Sequence, residues 1–148
     1  MSKQLQLKIV TPEKLILEEM VDSVTIPTTE GEITILPDHV PLVAGLSSGD
    51  IVARKDGEDI PMALVGGFAE IKNNKDGITE VAILADFAEH IGSITDEEIN
   101  KARAKAEELR KLALNKEIVD YEHFTTELER SLTRVKIADK WRNRKYRK

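Results

Sequence analysis

The chain has 148 residues, enough for one domain of ordinary size or a small domain with an appendage. It has no cysteine, which excludes disulfides and thiolate metal sites, and no apolar run near the ~18 residues of a membrane span. Aromatic residues are only 4% of the chain, so a core has to come from aliphatic residues. The net charge of −5 hides a basic end, since eight Arg or Lys residues and one acid, Asp139, lie between Arg134 and Lys148.

Up to about Asp86 apolar and polar residues alternate, a period of two that is typical of strands with one buried face. Gly, Asp, Asn and Pro residues between the alternating segments predict turns. Several short strands joined by such turns predict a mainly β fold, an antiparallel sandwich or barrel. The predicted strands cover residues 5–9, 24–26, 33–35, 51–54, 60–65, 68–72 and 78–84.

The pair Gly66-Gly67 interrupts the apolar run between two of these strands. Glycine inside a strand is typical of a bulge or of a close sheet crossing, and either is the favoured interpretation. A phosphate-binding loop is disfavoured, because no Gly-Lys-Ser/Thr element follows.

The segment Glu30–Leu42 predicts a strand that runs into a rigid, exposed turn. Pro37 and Pro41 flank Asp38-His39, and proline fixes the backbone angle φ. An imidazole and carboxylates on a stiff loop favour contact with another macromolecule, since a preset backbone lowers the ordering cost of binding.

After Asp86 the pattern becomes helical. Thr95 is predicted to cap a helix and Glu98 to reach back to it, while Ile94 and Ile99 are placed for a hydrophobic staple. The apolar stripe of this helix is narrow and rich in alanine, so it buries little apolar area. The stripe consists of Ile99, Ala102, Ala106, Leu109 and Ala113.

A break at residues 115–119 precedes a second helix, which Asp120 is predicted to cap. Its predicted apolar stripe consists of Phe124, Leu128, Leu132 and Val135. The chain is therefore expected to end in a helical hairpin that can dock on the β-domain or swing away, because its apolar content is sparse.

Four arginines of the predicted hairpin have helical spacing. Arg103 and Arg110 share a face of the first helix, and Arg130 and Arg134 share a face of the second. If the hairpin brings the pairs together, they form a surface suited to phosphates or carboxylates. The alternative is a solvated face with ordinary ion-pair partners such as Glu107.

The basic end beyond Arg134 allows three interpretations: a solvated chain end, a contact with an acidic protein, or a contact with nucleic acid or lipid. Neither a catalytic nor a metal site is indicated. His39, His90 and His123 lie far apart without metal-ligand spacing, and no Gly-x-Ser-x-Gly motif or P-loop is present.

The chain resembles the epsilon-subunit family of F-type ATP synthases over essentially its whole length. Several motifs in the same order carry this resemblance, which is more specific than any one motif alone. They are Gly31–Ile33, Leu36–Leu42, Gly66–Ile71, Val81–Asp86 and Val119–Tyr121.

The resemblance implies a sandwich of about ten strands over residues 1–88, the rotor-binding domain, and a regulatory two-helix hairpin with a basic tail over 89–148. It implies a non-catalytic rotor subunit of the central stalk of a proton-translocating ATP synthase. The subunit is expected to join the gamma subunit to the c-ring and to restrain ATP hydrolysis through the hairpin. Glu32, Asp38 and His39 match positions that contact these two partners.

In the extended hairpin, the resemblance implies that the basic last helix meets an acidic region of the catalytic β subunits in the α/β head. Arg130, Arg134, Lys136 and Lys140 are the residues expected at that contact. No metal and no required cofactor are expected.

Some bacterial members of the family bind regulatory ATP through a motif that appears here as Ile99–Ala104. The motif's aspartate is Asn100 in this chain, and Asn100 carries no charge. The residues matching the nucleotide contacts are Glu89, Asn100, Arg103, Arg110, Arg130 and Arg134. A further departure is Asp38, a position where glycine is frequent in the family.

The alternative function is a free-standing β-sandwich interaction module whose basic tail binds nucleic acid. It requires stacking aromatic residues, and the β region has only Phe68 and Phe87, so no nucleic acid partner is expected. Because no transit peptide is visible, we expect peripheral association, through the complex, with the cytoplasmic face of the bacterial inner (plasma) membrane.

Overall fold

The computed structural model describes the backbone of residues 3–91, 95–114 and 121–146, and the side chains of 3–91, 95–112 and 125–141. The chain forms two compact units, residues 1–90 and 91–148. The first unit contains the strands and the second contains the helices.

Eight strands lie within the described part of the chain, where about ten were expected. They are β1 (Leu5–Val10), β2 (Leu15–Val21), β3 (Ser23–Thr28), β4 (Gly31–Ile35), β5 (Leu42–Gly45), β6 (Gly49–Lys55), β7 (Glu58–Asn73) and β8 (Thr79–His90). The last strand extends through Glu89 and His90, past the boundary predicted at residue 88.

The strands form one sheet in the order β2-β1-β8-β7-β6-β3-β4, and β5 also pairs with β7. Every strand pair is antiparallel apart from β1 and β8, which are parallel. A parallel pair needs a long crossover, and here the connection is the whole of β2 to β7. Local alternation carries no information about so distant a pairing, so the predicted antiparallel sandwich is correct apart from this pair.

The sheet changes layer at Gly66-Gly67. The N-terminal part of β7 pairs with β6, and the part after the glycines pairs with β5, while β8 follows β7 in one continuous register. Gly66 and Gly67 have φ angles of 61° and 116°, and a Cβ on Gly67 would lie 2.1 Å from the carbonyl oxygen of Leu84. The glycines therefore form a close sheet crossing, one of the two predicted alternatives, and the two strands predicted here are a single strand.

The core of the first unit is almost entirely aliphatic, as the low aromatic content predicts. Alternate residues of β1, Leu5, Leu7 and Ile9, are fully buried, and both halves of β7 contribute side chains. Inner faces of both layers thus enclose one core. Its largest members include Ile26, Ile35, Ile51, Met62, Leu64, Ile71 and Ile83.

The second unit contains α1 (Asp96–Leu114) and α2 (Tyr121–Tyr146), which pack against each other. The predicted capping box is confirmed: the Glu98 N–H donates to Thr95 Oγ1 at 3.2 Å, and the Thr95 N–H donates to a Glu98 carboxylate oxygen at 3.0 Å. The staple residue Ile94 and the predicted cap Asp120 lie outside the described residues.

Four residues of the predicted α1 stripe are buried, with Ile99, Ala102, Ala106 and Leu109 at 3–5% exposure, and the fifth, Ala113, lies outside the described side chains. The predicted stripe of α2 is wrong over its described part. Leu132 is exposed and Leu128 and Val135 are half-buried. The buried residues among the described side chains of α2 are instead Ser131, Thr133, Ile137 and Ala138, and the side chain of Phe124 is not described.

The physical reason for this difference is the alanine stripe of α1. Helices that meet through alanine approach closely, and small side chains on the opposing helix accommodate that approach better than leucine. Ser131 and Ala138 lie seven residues apart and so share one face of α2, and Ala138 packs with Ile99. Apolar periodicity alone misses a contact face that includes a serine, and the alanine stripe does not explain the burial of Thr133, which lies about 160° around the helix from Ser131.

Candidate functional site

The exposed turn predicted around His39 is a tight four-residue turn. The His39 N–H donates to the carbonyl oxygen of Leu36 at 3.1 Å, with Pro37 and Asp38 as the central residues. Asp38 has a φ of 69°, so the turn has the features of type II, which favours proline followed by glycine. Aspartate is one of the few other residues that tolerate this left-handed conformation.

Hydrogen bonds from distant strands hold this turn in place. The Asp38 N–H donates to Thr79 Oγ1 at 2.7 Å, and the Thr79 hydroxyl donates to Asn73 Oδ1 at 2.7 Å. Asn73 Nδ2 in turn donates to the carbonyl oxygen of His39 at 3.1 Å. Thr79 is fully buried, so the turn is tied to the end of β7 and the start of β8 through a solvent-shielded hydroxyl.

The N-terminal segment also contacts the turn. Lys3 Nζ lies 2.7 Å from Asp38 Oδ1, and both side chains are more than half exposed. Such a pair contributes about 0–1 kcal/mol and is weakened by salt. The main effect of the pair is on charge. A glycine at this position of the turn would carry no charge, whereas Asp38 carries a carboxylate, which Lys3 partly neutralises.

The predicted polar contacts lie on exposed parts of this region. Glu32 is exposed on β4, a strand at the edge of the sheet. His39 is half-buried, and its Nδ1 donates to the carbonyl oxygen of Val40 at 2.7 Å, so Nε2 of the neutral ring is a hydrogen-bond acceptor. Leu36 and Val40 beside the histidine are 56% and 69% exposed, so the turn offers apolar as well as polar contact.

A second surface, which the sequence analysis missed, lies on the outer face of the β unit. Phe68 pairs with Leu84, Leu84 with Val10, and Val10 with Leu15 across four neighbouring strands. Residues directly opposite each other project from the same face, so these four form one row, here called the outer apolar row. Phe68, Leu84 and Leu15 are 63%, 58% and 50% exposed. One signal in the sequence could have indicated this surface: Phe68 is next to Ala69 on the same strand, so if Ala69 faces the core, Phe68 faces outwards.

The hairpin arginines occupy different surroundings. Arg103 Nη2 donates to both carboxylate oxygens of Asp139, at 3.2 and 3.0 Å, and joins α1 to α2. Lys105 Nζ lies 3.8 Å from Glu127, a second contact between the helices. Arg103 and Lys105 are roughly 200° apart around α1, so these two pairs lie at opposite edges of the helix–helix contact.

This geometry separates the two arginine pairs in the present arrangement. Arg130 and Arg134 are three and seven residues from Glu127 and therefore share its face, on the Lys105 edge. Arg103 lies at the opposite edge of the helix–helix contact, where it is paired with Asp139.

The remaining predicted residues are easily placed. Asn100 and Arg110 are exposed on α1, whereas Glu89 lies in β8 of the first unit. Lys136 and Lys140 are exposed on α2.

Within the described residues, no group of three His, Asp or Glu side chains is placed to bind a metal ion. None of the described helices is long and apolar enough to cross a membrane.

Comparison with known proteins identifies the family. Residues 4–91 match the model of the ATP synthase delta/epsilon chain, β-sandwich domain. The ATP synthase epsilon chain of Nitratidesulfovibrio vulgaris is 39% identical over 137 residues, which cover 93% of this chain and 97% of that one. The epsilon chain of Syntrophobacter fumaroxidans is 37% identical over 140 residues, covering 95% and 99%.

Solved structures agree. A chain of the Euglena gracilis mitochondrial ATP synthase, in a structure of OSCP, F1 and c-ring, matches with a TM-score of 0.62 and 25% identity over 97% of this chain and 82% of that chain. A chain from the central stalk and c-ring of the Tetrahymena thermophila enzyme has the same fold, with a TM-score of 0.52 and 14% identity. The chain therefore belongs to the epsilon-chain family of ATP synthase.

Proposed function

We propose that this chain is the non-catalytic central-stalk subunit of an F-type ATP synthase and joins the gamma subunit to the c-ring. The observation that carries the proposal is the presence of two different exposed surfaces on one rigid β unit: the braced turn at Asp38 and the outer apolar row. A rotor coupling must hold two partners at once, and each surface suits one of them.

The turn suits the polar loops of the c-ring. Glu32, Asp38 and His39 supply a carboxylate, a partly neutralised carboxylate and an imidazole acceptor, which are groups that recognise polar side chains. Because hydrogen bonds to Thr79 and Asn73 already order the backbone, little conformational entropy is lost on binding.

The outer apolar row suits the gamma subunit. A permanent contact buries apolar area, and aromatic residues at the centre of an interface contribute most of its free energy. Phe68 forms one end of this row, on β7, which pairs with β5 on its other side, and Leu84 lies beside it on β8. The large exposed fractions of both side chains are explained if a partner covers them.

The hairpin is proposed to restrain ATP hydrolysis when it extends towards the catalytic subunits. Its described contacts between α1 and α2 are few apolar residues and partly exposed ion pairs, so the closed form is weakly held. Lys136 and Lys140, with Arg130 and Arg134, give α2 the positive charge to meet an acidic surface of the catalytic β subunits.

Regulation by ATP is a second candidate role of the hairpin, supported by the motif around Asn100 and by the spacing of Arg103, Arg110, Arg130 and Arg134. ATP binding would require Arg103 to leave Asp139 and contact a phosphate instead. It would also require Arg103 and Arg110 to approach Arg130 and Arg134. A rise in the melting temperature of the isolated subunit at millimolar ATP is the expected result, and no rise would contradict this role.

The bacterial origin of the similar epsilon chains supports a position at the cytoplasmic face of the inner membrane, held there through the complex.

Co-purification tests the main proposal. The tagged chain is expected to recover gamma and the c-ring from its own membranes, and to suppress ATP hydrolysis by epsilon-depleted F1 while hydrolysing none alone. A chain that recovers neither partner and leaves hydrolysis unchanged would contradict the rotor assignment.

A further inference from the structure

The pair formed by Arg103 and Asp139 is a closer polar contact between α1 and α2 than the pair formed by Lys105 and Glu127. One guanidinium nitrogen reaches both carboxylate oxygens, whereas Lys105 and Glu127 approach only to 3.8 Å. The contact is charge-assisted, and because both side chains are about half exposed, solvent screens part of its strength.

The position of the pair gives it control over the hairpin. Arg103 lies in the second turn of α1 and Asp139 lies near the end of α2, away from the connecting segment 115–120. The apolar contact of Ile99 with Ala138 lies at the same end. The helices are joined covalently at one end, so a contact at the other end opposes their separation.

The charge pattern makes Asp139 unusual. It is the single acid between Arg134 and Lys148, a segment with eight basic residues. An acid there lowers the positive charge that favours contact with an acidic partner, so its presence needs a separate explanation. The contact with Arg103 supplies one.

We propose that Asp139 is the hairpin's own anionic ligand for Arg103, and that it holds the helices together without nucleotide by occupying the guanidinium that a phosphate would otherwise bind. This inference rests on the proposed regulatory role of the hairpin. ATP and the Asp139 carboxylate then compete for one cation. Closure of the ligand-free hairpin depends on the ion pair, and bound ATP has to displace it.

The absence of cysteine from the chain allows a direct test. Single cysteines at Lys101 and Lys136, both exposed, accept spin labels on α1 and α2 of the full chain. The Asp139→Asn variant is expected to broaden and lengthen the distance distribution between the labels in the absence of nucleotide. The matched control, Lys105→Gln, removes the longer ion pair between the same helices and is expected to change the distribution less.

Binding of ATP to the same full-length chains provides the second readout. Asp139→Asn is expected to bind ATP about two- to fivefold more tightly than the wild type, because the competing carboxylate has been neutralised. The double variant Arg103→Asp, Asp139→Arg is expected to restore the short distance between the labels but to bind ATP more weakly than the wild type, since the guanidinium has moved from α1 to α2.

Two results would overturn the inference: an unchanged distance distribution in Asp139→Asn, or an ATP affinity that is unchanged or lower. Recovery of gamma and the c-ring by the same chains is measured separately. If the distance and affinity measurements contradict the role of Asp139, the rotor assignment is unaffected. If the rotor assignment is wrong, the wild-type chain recovers neither gamma nor the c-ring.

Discussion

At the scale of single residues, the turn at Asp38 illustrates how much a local sequence predicts. The two prolines correctly indicate a rigid exposed turn, and the hydrogen bond from His39 to Leu36 closes it. The hydrogen bond from Asp38 to Thr79 could not be predicted from the local sequence, because Thr79 lies 41 positions away and its own surroundings predict only the start of a strand. Its position was a consequence of the register between β7 and β8.

This bracing leads to a prediction for Thr79→Val. The change keeps the side-chain volume but removes the buried hydroxyl that accepts from the Asp38 N–H and donates to Asn73 Oδ1, so both groups lose their partner. We expect the free energy of unfolding of the isolated subunit to fall by about 1–3 kcal/mol, measured by urea denaturation. Affinity for the c-ring is expected to fall as well, because the turn loses its order.

The matched control is Thr25→Val, which removes a hydroxyl–hydroxyl contact of 2.9 Å to Thr34 at an exposed position. Its effect is expected to stay within about 0.5 kcal/mol. Equal effects of the two substitutions would show that the buried hydroxyl does not support the turn.

At the scale of elements, the sequence predicts what depends on neighbours along the chain. Period-two alternation locates most strands, and the capping box locates the start of α1 at Thr95. The parallel pairing of β1 with β8 and the buried face of α2 depend on remote partners, so alternation and periodicity could not predict them. The outer apolar row was missed for the same reason, since only the register brings Val10, Leu15, Phe68 and Leu84 together.

Substitution of this row tests its role. The double variant Phe68→Ser, Leu84→Ser is expected to weaken binding of the gamma subunit at least about tenfold, because the two most exposed apolar side chains of the row are lost. The stability of the free subunit should change by less than about 0.5 kcal/mol per residue, since both side chains are exposed. Titration calorimetry with gamma measures the affinity.

The control is Leu112→Ser, an exposed leucine on α1 outside the row, which should leave gamma affinity unchanged. If the double variant bound gamma as tightly as the wild type, a different face of the β unit would have to make the contact.

At the scale of the whole molecule, the two units have separate cores of different strength. The first encloses a large set of fully buried aliphatic side chains, whereas the described part of the second buries mainly alanine and small residues. A stable β unit and a hairpin with a small core suit the proposed regulatory role, because a small free-energy difference suffices to shift the population of such a hairpin.

Ionic strength distinguishes the two proposed kinds of contact. Inhibition of ATP hydrolysis by the extended hairpin is expected to weaken as salt is raised several-fold, because exposed charges such as Lys136 and Lys140 are screened. Gamma binding through the apolar row should persist over the same range. The measurement is the ATPase rate of reconstituted F1 against salt, with gamma retention assayed in parallel.

Replacing both lysines by glutamine should flatten this salt dependence. Inhibition that is independent of salt in the wild type would exclude charge complementarity as its cause.

The crossing at Gly66-Gly67 has a mechanical consequence. Beyond these glycines β7 and β8 pair without interruption from Phe68 and Leu84 to Asn73 and Thr79, so twisting at Phe68 passes along a hydrogen-bonded ribbon to the residues that brace the turn. Two separate sheets would slide over each other under the same load, since only side-chain packing would join them. We therefore expect the subunit to resist torsion, since slippage between the gamma subunit and the c-ring would first require rupture of the hydrogen bonds between β7 and β8.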